Sequence, residues 1–234
     1  DLLLKHASSL IRKGCRIAAI KAGSSEAGSR AASSHTGALA SPDTAVDALF
    51  RKAGIVRCYG REDLIAVASV FMHPRLSGKN IAVITHAGGP AVMLTDALSH
   101  GGMQVPHIEG PDAEELEGLL FPGSSVANPI DFLATGTAEQ LGTIIEYTDK
   151  KFDHIDGMAV IFGTPGLFPL FDVYKVLDEK MRTCRKPIFP VLPSTLTAKE
   201  EVAEFISKGR INFPDEVVLG NALSRVMKTA EPQP

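Results

Sequence analysis

Cysteine is scarce in this sequence, and its placement excludes a disulfide framework. The three cysteines, Cys15, Cys58 and Cys184, stand far apart without a Cys-x-x-Cys pair, and each lies in or beside an apolar stretch. Disulfide-stabilised domains and zinc ribbons need several cysteines at short spacings. We therefore predict no disulfide and no metal site. Buried, reduced thiols favour a cytoplasmic protein.

Long apolar runs and basic runs are also missing. No stretch approaches the roughly 18 apolar residues of a membrane span, and charges interrupt residues 1–20, where a signal peptide would be apolar. No Lys/Arg run exceeds two residues, and the net charge of -3 with a pI near 6.2 provides no basic surface. Neither a membrane nor nucleic acid is an expected partner.

The residues that are present favour a packed α/β protein, since 44% of the 234 residues are apolar. From residue 78 onward, short apolar runs alternate with amphipathic stretches, which is typical of a parallel sheet covered on both faces. Strands are predicted at 80–85, 104–108, 157–162, 187–192 and 211–213, with helices at 91–100, 113–120, 138–147, 171–181, 198–207 and 215–227. We predict a complete flavodoxin-like, doubly wound domain over residues 78–234.

Residues 1–77 form a smaller set of elements. Helices are predicted at 2–13, 44–53 and 61–72, and strands at 16–21 and 55–59. Two parallel strands seldom make an adequate core alone. We interpret this region as the C-terminal half of a flavodoxin-like domain whose first strands lie upstream or in a partner chain. The alternative is that both strands join the larger sheet.

A long connection, residues 22–40, separates the first predicted strand from the next helix and is rich in Ser, Gly and Ala. Connections of this length inside compact domains are usually functional or disordered, and we predict a mobile loop. Near its end stands His35, flanked by Ser34 and Thr36 and followed by Gly37. A neutral imidazole is a competent nucleophile toward phosphorus. The spacing alone favours the other interpretation, a polar surface loop with an incidental histidine.

A second candidate is Thr-His-Ala-Gly-Gly-Pro at residues 85–90, between a predicted strand and helix. Unpaired amides at a helix start bind anions, and Gly88 and Gly89 would let an oxyanion approach closely. The Walker pattern and its lysine are missing. The residues themselves leave two alternatives open, an anion site that includes Pro90 or only a tight turn.

Two further loops follow predicted strands. Asn128 and Asp131, in Asn-Pro-Ile-Asp, could line an active site or only form a turn. Residues 163–166, Gly-Thr-Pro-Gly, lie at a strand's carboxyl end, where ligands of open α/β sheets gather. For both loops, turn formation alone is the simpler interpretation.

Two long motifs resemble a known family. Residues 21–28, Lys-Ala-Gly-Ser-Ser-Glu-Ala-Gly, and residues 31–40, Ala-Ala-Ser-Ser-His-Thr-Gly-Ala-Leu-Ala, are similar to the phosphohistidine segment of ADP-forming acetyl-CoA synthetases and related NDP-forming acyl-CoA synthetases, the enzyme class of succinyl-CoA synthetase. Residues 83–92 and 128–131 are similar to the second ligase domain of that family. The resemblance covers nearly the whole chain.

The resemblance implies a phosphoryl relay. Acyl-CoA and phosphate would form an acyl phosphate, the phosphoryl group would pass to His35, and a swinging loop would deliver it to ADP or GDP. Ser34, Thr36 and Gly37 are expected to bind phosphate beside His35, as are Gly88, Gly89 and Pro90 at a facing helix start. The resemblance implies CoA, phosphate and ADP/ATP with Mg²⁺ as substrates of the complete enzyme, and no tightly bound cofactor is expected.

The same resemblance implies partners and a competitor for the catalytic role. A CoA-binding domain and a nucleotide-binding ATP-grasp domain, or subunits of that kind, would complete an oligomeric enzyme, and this chain alone should not turn over. His86 also resembles a phosphohistidine, that of the Gly-His-Ala-Gly motif of succinyl-CoA synthetase, but it lies in a short turn. Two alternatives are a non-catalytic, ligand-sensing module of a protein acetyltransferase and an unrelated flavin-binding protein.

Overall fold

A computed structural model describes residues 2–36 and 41–232. The chain divides into two compact units, one of Asp1–Phe71 with Arg225–Pro234 and one of Met72–Ser224. The predicted boundary after residue 77 lies close to this division, whereas the last ten residues, predicted in the second domain, group with the first unit. Within the described residues, no helix is both long and apolar enough to span a membrane.

The first unit is a small parallel α/β layer. Strands β1 (Ala18–Ile20) and β2 (Val56–Cys58) pair in parallel, with Ala18 opposite Val56. The helices are α1 (Leu2–Arg12), α2 (Glu26–Thr36), α3 (Asp43–Ala53) and α4 (Arg61–Phe71). Among the described residues the two strands form a sheet of their own, so the alternative in which they join the larger sheet is wrong.

The core of the first unit lies between α1 and α3. Ile11 and Phe50 are buried there with Ala7, Ala53 and Ile55. Gly54 ends α3 with φ of 75°, a left-handed conformation that glycine adopts without a Cβ penalty. Large apolar side chains on other faces stay exposed, namely Leu2, Leu3 and Ile65.

The second unit contains a four-stranded parallel sheet of strand order β4-β3-β5-β6. Its strands are β3 (Ile81–Thr85), β4 (Ile130–Asp131), β5 (Gly157–Ile161) and β6 (Ile188–Val191). Its helices are α5 (Gly88–His100), α6 (Pro111–Gly118), α7 (Ala138–Lys150), α8 (Phe171–Thr183) and α9 (Lys199–Ser207), and α10 (Glu216–Lys228) begins in it. Strands β3, β5 and β6 are buried throughout, as expected of a sheet covered on both faces. The predicted flavodoxin-like α/β class is confirmed.

Two predicted strands are reduced to single bridges. Gln104 bridges Asn80, but the strand predicted at 104–108 does not continue. Pro106 has no N–H to donate, and its carbonyl instead accepts from the Asn128 side chain at 2.9 Å. The short β4 takes over the pairing with the carboxyl end of β3. At the opposite edge of the sheet, Phe213 bridges Val191 and the strand predicted at 211–213 ends there.

Candidate functional site

The segment that carries His35 is helical over much of its length, which corrects the predicted loop. Helix α2 spans Glu26–Thr36, so the backbone of His35 lies in its last turn and Ser34 is exposed. Gly37 and the side chains of His35 and Thr36 lie outside the described part of the chain. The assignment of all four residues to phosphate chemistry therefore stays a prediction.

Local chemistry explains why this segment forms a helix. The Ser25 hydroxyl accepts a hydrogen bond from the Gly28 amide at 3.1 Å, as a residue capping a helix start does. Glu26 and Arg30 pair at 2.7 Å across one turn, and alanine is frequent between them and beyond. The serines and glycines had favoured a loop, but this cap and ion pair favour a helix.

The turn at the carboxyl end of β3 matches the predicted anion site in its backbone. Thr85 folds the turn, since its Oγ1 accepts from the Ala87 amide at 3.0 Å and donates to the Ala87 carbonyl at 2.9 Å. Ala87 is the extended residue before α5, and no side chain of the described residues caps this helix. Helix α5 begins at Gly88, earlier than the helix predicted at 91–100, and Pro90 is its third residue, in the first turn, where no intrahelical N–H bond is needed.

Asp131 lies beside this turn. A Cβ on Gly88 would stand 3.3 Å from the Asp131 Oδ2, whereas one on Gly89 would meet no atom of the described residues within 4 Å. Oδ1 of Asp131 accepts from the Leu133 amide at 3.0 Å, which fixes the carboxylate. A carboxylate near a helix N-terminus is stabilised by the helix dipole, yet it repels other anions. An anion would therefore find the Gly89 side open and the Gly88 side already negative.

Asn128 makes contacts that complete the sheet. Its Oδ1 accepts from the Val83 amide at 2.9 Å, and its Nδ2 donates to the Ile81 and Pro106 carbonyls at 3.0 and 2.9 Å. The side chain thus fills the gap in pairing along β3 between Gln104 and Ile130. These contacts support a structural role, and the predicted lining of an active site by Asn128 gains no geometric support from them.

The loop at residues 163–166 also bonds mainly to its own surroundings. The Thr164 amide donates to Ser194 Oγ at 2.8 Å, and the Gly166 amide donates to Thr164 Oγ1 at 3.1 Å. Gly166 has φ of 71°, a left-handed turn conformation that glycine provides. The simpler interpretation of this loop, turn formation, accounts for these contacts.

His86 is packed in the interior of its turn. It is 7% exposed, and its ring stacks on Phe162 with centroids 4.1 Å apart and an interplanar angle of 15°. Burial lowers the pKa of His86 below the ordinary 6.5, against a hydrogen bond with the Ile161 backbone and the charge of Asp131, which raise it. His86 is therefore a buried ring that is neutral near pH 7, and this packing differs from that expected of a travelling phosphate carrier.

The lowered pKa of His86 predicts a pH dependence of stability. The unfolded chain takes up the histidine proton at higher pH than the folded chain does, so stability is fully present above pH 6.5 and declines as the pH falls below it. Urea unfolding at pH 7.5 and 5.5 measures this decline, and His86→Asn should reduce it. An equal decline in the variant and in the unmodified chain would contradict the assignment.

The fold and this turn define a class of protein, a parallel flavodoxin-like α/β protein with a helix N-terminus at the carboxyl edge of its sheet that no described side chain caps. Residues 2–71 match the family described as succinyl-CoA ligase like flavodoxin domain. The chain is 37% identical over 155 residues to the alpha subunit of acetate–CoA ligase [ADP-forming] II of Pyrococcus furiosus, covering 65% of this chain and 34% of that protein. It is 37% identical over 137 residues to acetate–CoA ligase [ADP-forming] of Methanocaldococcus jannaschii, covering 58% and 19%.

A solved structure agrees in fold. The dinucleotide-forming acetyl-coenzyme A synthetase 1 of Ca. Korarchaeum cryptofilum, in complex with phosphate and ADP, superposes with a TM-score of 0.86 at 23% identity, covering 96% of this chain and 48% of that one. The resemblance predicted from the sequence is thus confirmed, since the chain is similar, over part of their length, to proteins named ADP-forming acetate–CoA ligases. It spans between a fifth and a half of the length of these three proteins.

Proposed function

We propose that this chain is the phosphohistidine-carrying part of an NDP-forming acyl-CoA synthetase. The observation that carries the proposal is the position of the His35 motif inside residues 2–71, the region that matches the succinyl-CoA ligase like flavodoxin domain. The relatives reported above are named as ADP-forming ligases, which favours ADP as the nucleotide and favours a ligase over a regulatory module of an acetyltransferase.

The proposed reaction has three balanced steps. In the first step, phosphate attacks the thioester carbonyl of acyl-CoA. This attack forms an acyl phosphate and releases CoA. An imidazole nitrogen of His35 attacks phosphorus and releases the carboxylic acid. ADP, with Mg²⁺ as part of the substrate, then takes the phosphoryl group and restores the free histidine, producing ATP.

Each part of the chain has a role in this proposal. Ser34, Thr36 and Gly37 flank the carrier and bind its phosphoryl group. The start of α5 binds phosphate through the unpaired backbone amides of Gly88 and Gly89, and Pro90, which has no N–H, lines the same site. The open space at Gly89 and the lack of a side-chain cap on α5 support this role.

The chain acts with other domains in this proposal. Residues 1–77 are the C-terminal half of one flavodoxin-like ligase domain, and residues 78–234 are a second one. The exposed Leu2, Leu3 and Ile65 beside a two-stranded sheet support a missing half that covers them. A CoA-binding domain and an ATP-grasp domain, from the same chain or another subunit, complete the cytoplasmic enzyme.

Phosphate labelling of the complete enzyme tests the proposal. Incubation with acyl-CoA and radioactive phosphate, without ADP, should leave an acid-labile, base-stable label. Trypsin releases residues 31–51 as a peptide whose only histidine is His35, whereas His86 falls in the peptide 80–150. We expect the label on 31–51 and its loss when ADP is added. Label on 80–150, or none on either peptide, would contradict the proposal.

A further inference from the structure

A network of ion pairs lies at the carboxyl ends of β1 and β2. Arg57, in the middle of β2, donates from Nη2 to Asp43 Oδ1 at 2.5 Å and from Nη1 to Asp47 Oδ1 at 3.1 Å. Lys21, the residue after β1, places Nζ 3.6 Å from the same Asp43 Oδ1 and donates to the Gly23 carbonyl. Both carboxylates belong to α3.

Two members of this network flank the segment that contains His35. Lys21 directly precedes residues 22–42, and Asp43 directly follows them. Their ion pair therefore joins the entry of the segment to its exit. Lys21 also holds the first turn of the segment through the Gly23 carbonyl. Lys21 and Asp43, on either side of the segment, are thus joined to each other and, through Arg57, to β2.

Arg57 anchors this network of ion pairs to the sheet. It is 9% exposed and sits in a paired strand. Its guanidinium lies 5.0 Å from the centroid of the Tyr59 ring, and its carbonyl accepts from Arg225 Nη1 at 3.1 Å. The hydrogen bond from Arg57 is the main cause that lowers the pKa of Asp43. The carboxylate therefore stays ionised and bound over the whole neutral range.

We propose that Arg57, acting through Asp43, is a positioning residue for His35. Lys21 contributes by pairing with Asp43 across the two ends of residues 22–42, and we call Lys21, Asp43 and Arg57 together the clasp. The proposal rests on the proposed function of His35 as phosphate carrier. A reacting group held by two fixed ends samples fewer orientations, and displacement by about 1 Å from productive geometry can cost about 100-fold in rate. Releasing either end therefore slows phosphoryl transfer without removing a group that touches substrate.

The chain contains a matched pair of variants for the test. Asp43 and Asp47 both bind Arg57, both lie on α3, and both side chains are 30% exposed. Only Asp43 adjoins the segment and pairs with Lys21. Asp43→Asn should accelerate amide hydrogen exchange in residues 24–36 of the complete enzyme by about tenfold, and Asp47→Asn should change it less than about twofold.

Lys21→Gln provides a second variant that leaves α3 unchanged. Asp43 also stands in the first turn of α3, where its charge favours the helix dipole. If Asp43→Asn acted only by fraying α3, Lys21→Gln would leave exchange in residues 24–36 unaltered. We expect Lys21→Gln to accelerate it as Asp43→Asn does, and the double variant to add less than the product of the two.

The same variants test the catalytic consequence in the complete enzyme. Asp43→Asn and Lys21→Gln should lower the rate of label transfer to residues 31–51 by about 10- to 100-fold, with KM for acyl-CoA and phosphate changed less than about threefold. Equal effects of Asp43→Asn and Asp47→Asn in both measurements would overturn the proposal. Absence of label in the unaltered enzyme would instead contradict the proposed function, and hydrogen exchange would then decide whether the clasp exists.

Discussion

Replacement of His35 by asparagine is expected to abolish phosphate labelling and to lower the turnover of the complete enzyme by about 10⁴-fold or more. Loss of a covalent nucleophile removes the intermediate itself, and comparable deletions in enzymes with covalent intermediates cost about 10⁴- to 10⁶-fold in kcat. Asparagine retains a polar side chain but forms no stable phosphoryl adduct. The loss should therefore appear in kcat, with KM for acyl-CoA little changed.

Two other histidines serve as controls for His35→Asn. His100 is exposed in the last turn of α5, so His100→Asn should leave labelling and turnover within about twofold. His86 is the competing candidate. Because its neutral ring is buried against Phe162, His86→Asn should lower the stability of the chain at most and should leave the labelling intact. A label that survives His35→Asn and disappears in His86→Asn would reverse the assignment of the carrier.

Replacement of Phe162 by alanine is expected to lower the free energy of unfolding of the second unit by about 3–5 kcal/mol. Phe162 follows β5 and is fully buried, with its ring stacked on His86 and tilted against Phe132 at 5.9 Å. Its removal leaves a cavity under the turn that starts α5. Urea denaturation followed by far-UV circular dichroism measures the change.

The control for Phe162→Ala is a phenylalanine at the surface. Phe171, the first residue of α8, is 42% exposed, so Phe171→Ala should cost less than about 1 kcal/mol. Phe162→Ala should also loosen His86 and raise its pKa toward 6.5, measurable by NMR titration of the ring. Similar destabilisation by both variants would contradict the role of Phe162 as a core residue.

The sequence was sufficient to predict the parallel sheet of the second unit. Strands β3, β5 and β6 are short apolar runs without charge, and such runs are buried on both faces whatever their neighbours are. The strand predicted at 104–108 does not continue because the Asn128 side chain takes the Val83 amide and the Ile81 carbonyl of β3, a contact between distant residues that periodicity does not reveal. Strand β4 has only two residues, too few for any periodic signal.

Helix α2 was missed because composition and local contacts point in opposite directions. Serine and glycine between residues 23 and 34 favour a loop, while the Ser25 cap and the Glu26–Arg30 pair favour a helix. Each of these two contacts stabilises the helix by about 1 kcal/mol or less. The balance between helix and loop is therefore a narrow one. A serine three residues before a glycine, next to an i, i+4 charge pair, was the available signal.

The residues of the candidate site were likewise only partly predictable from the sequence. His35 and the residues beside it were found because their motif is contiguous in sequence, and the Gly-Gly-Pro turn was found because it follows an obvious strand. The ion pairs of Lys21, Asp43 and Arg57 were missed, because the paired residues lie 14 to 22 positions apart in sequence and only folding brings them together.

By itself, the sequence determined the α/β class, the resemblance to acyl-CoA synthetases and the identity of the candidate carrier, because these depend on apolar runs and on contiguous residue order. The tertiary structure alone decided that His86 is a buried neutral ring, that Asn128 serves the sheet, and that Arg57 holds Asp43. These properties depend on burial and on charges brought together by folding, which set the pKa and the hydrogen-bond partners of a side chain irrespective of its neighbours in sequence.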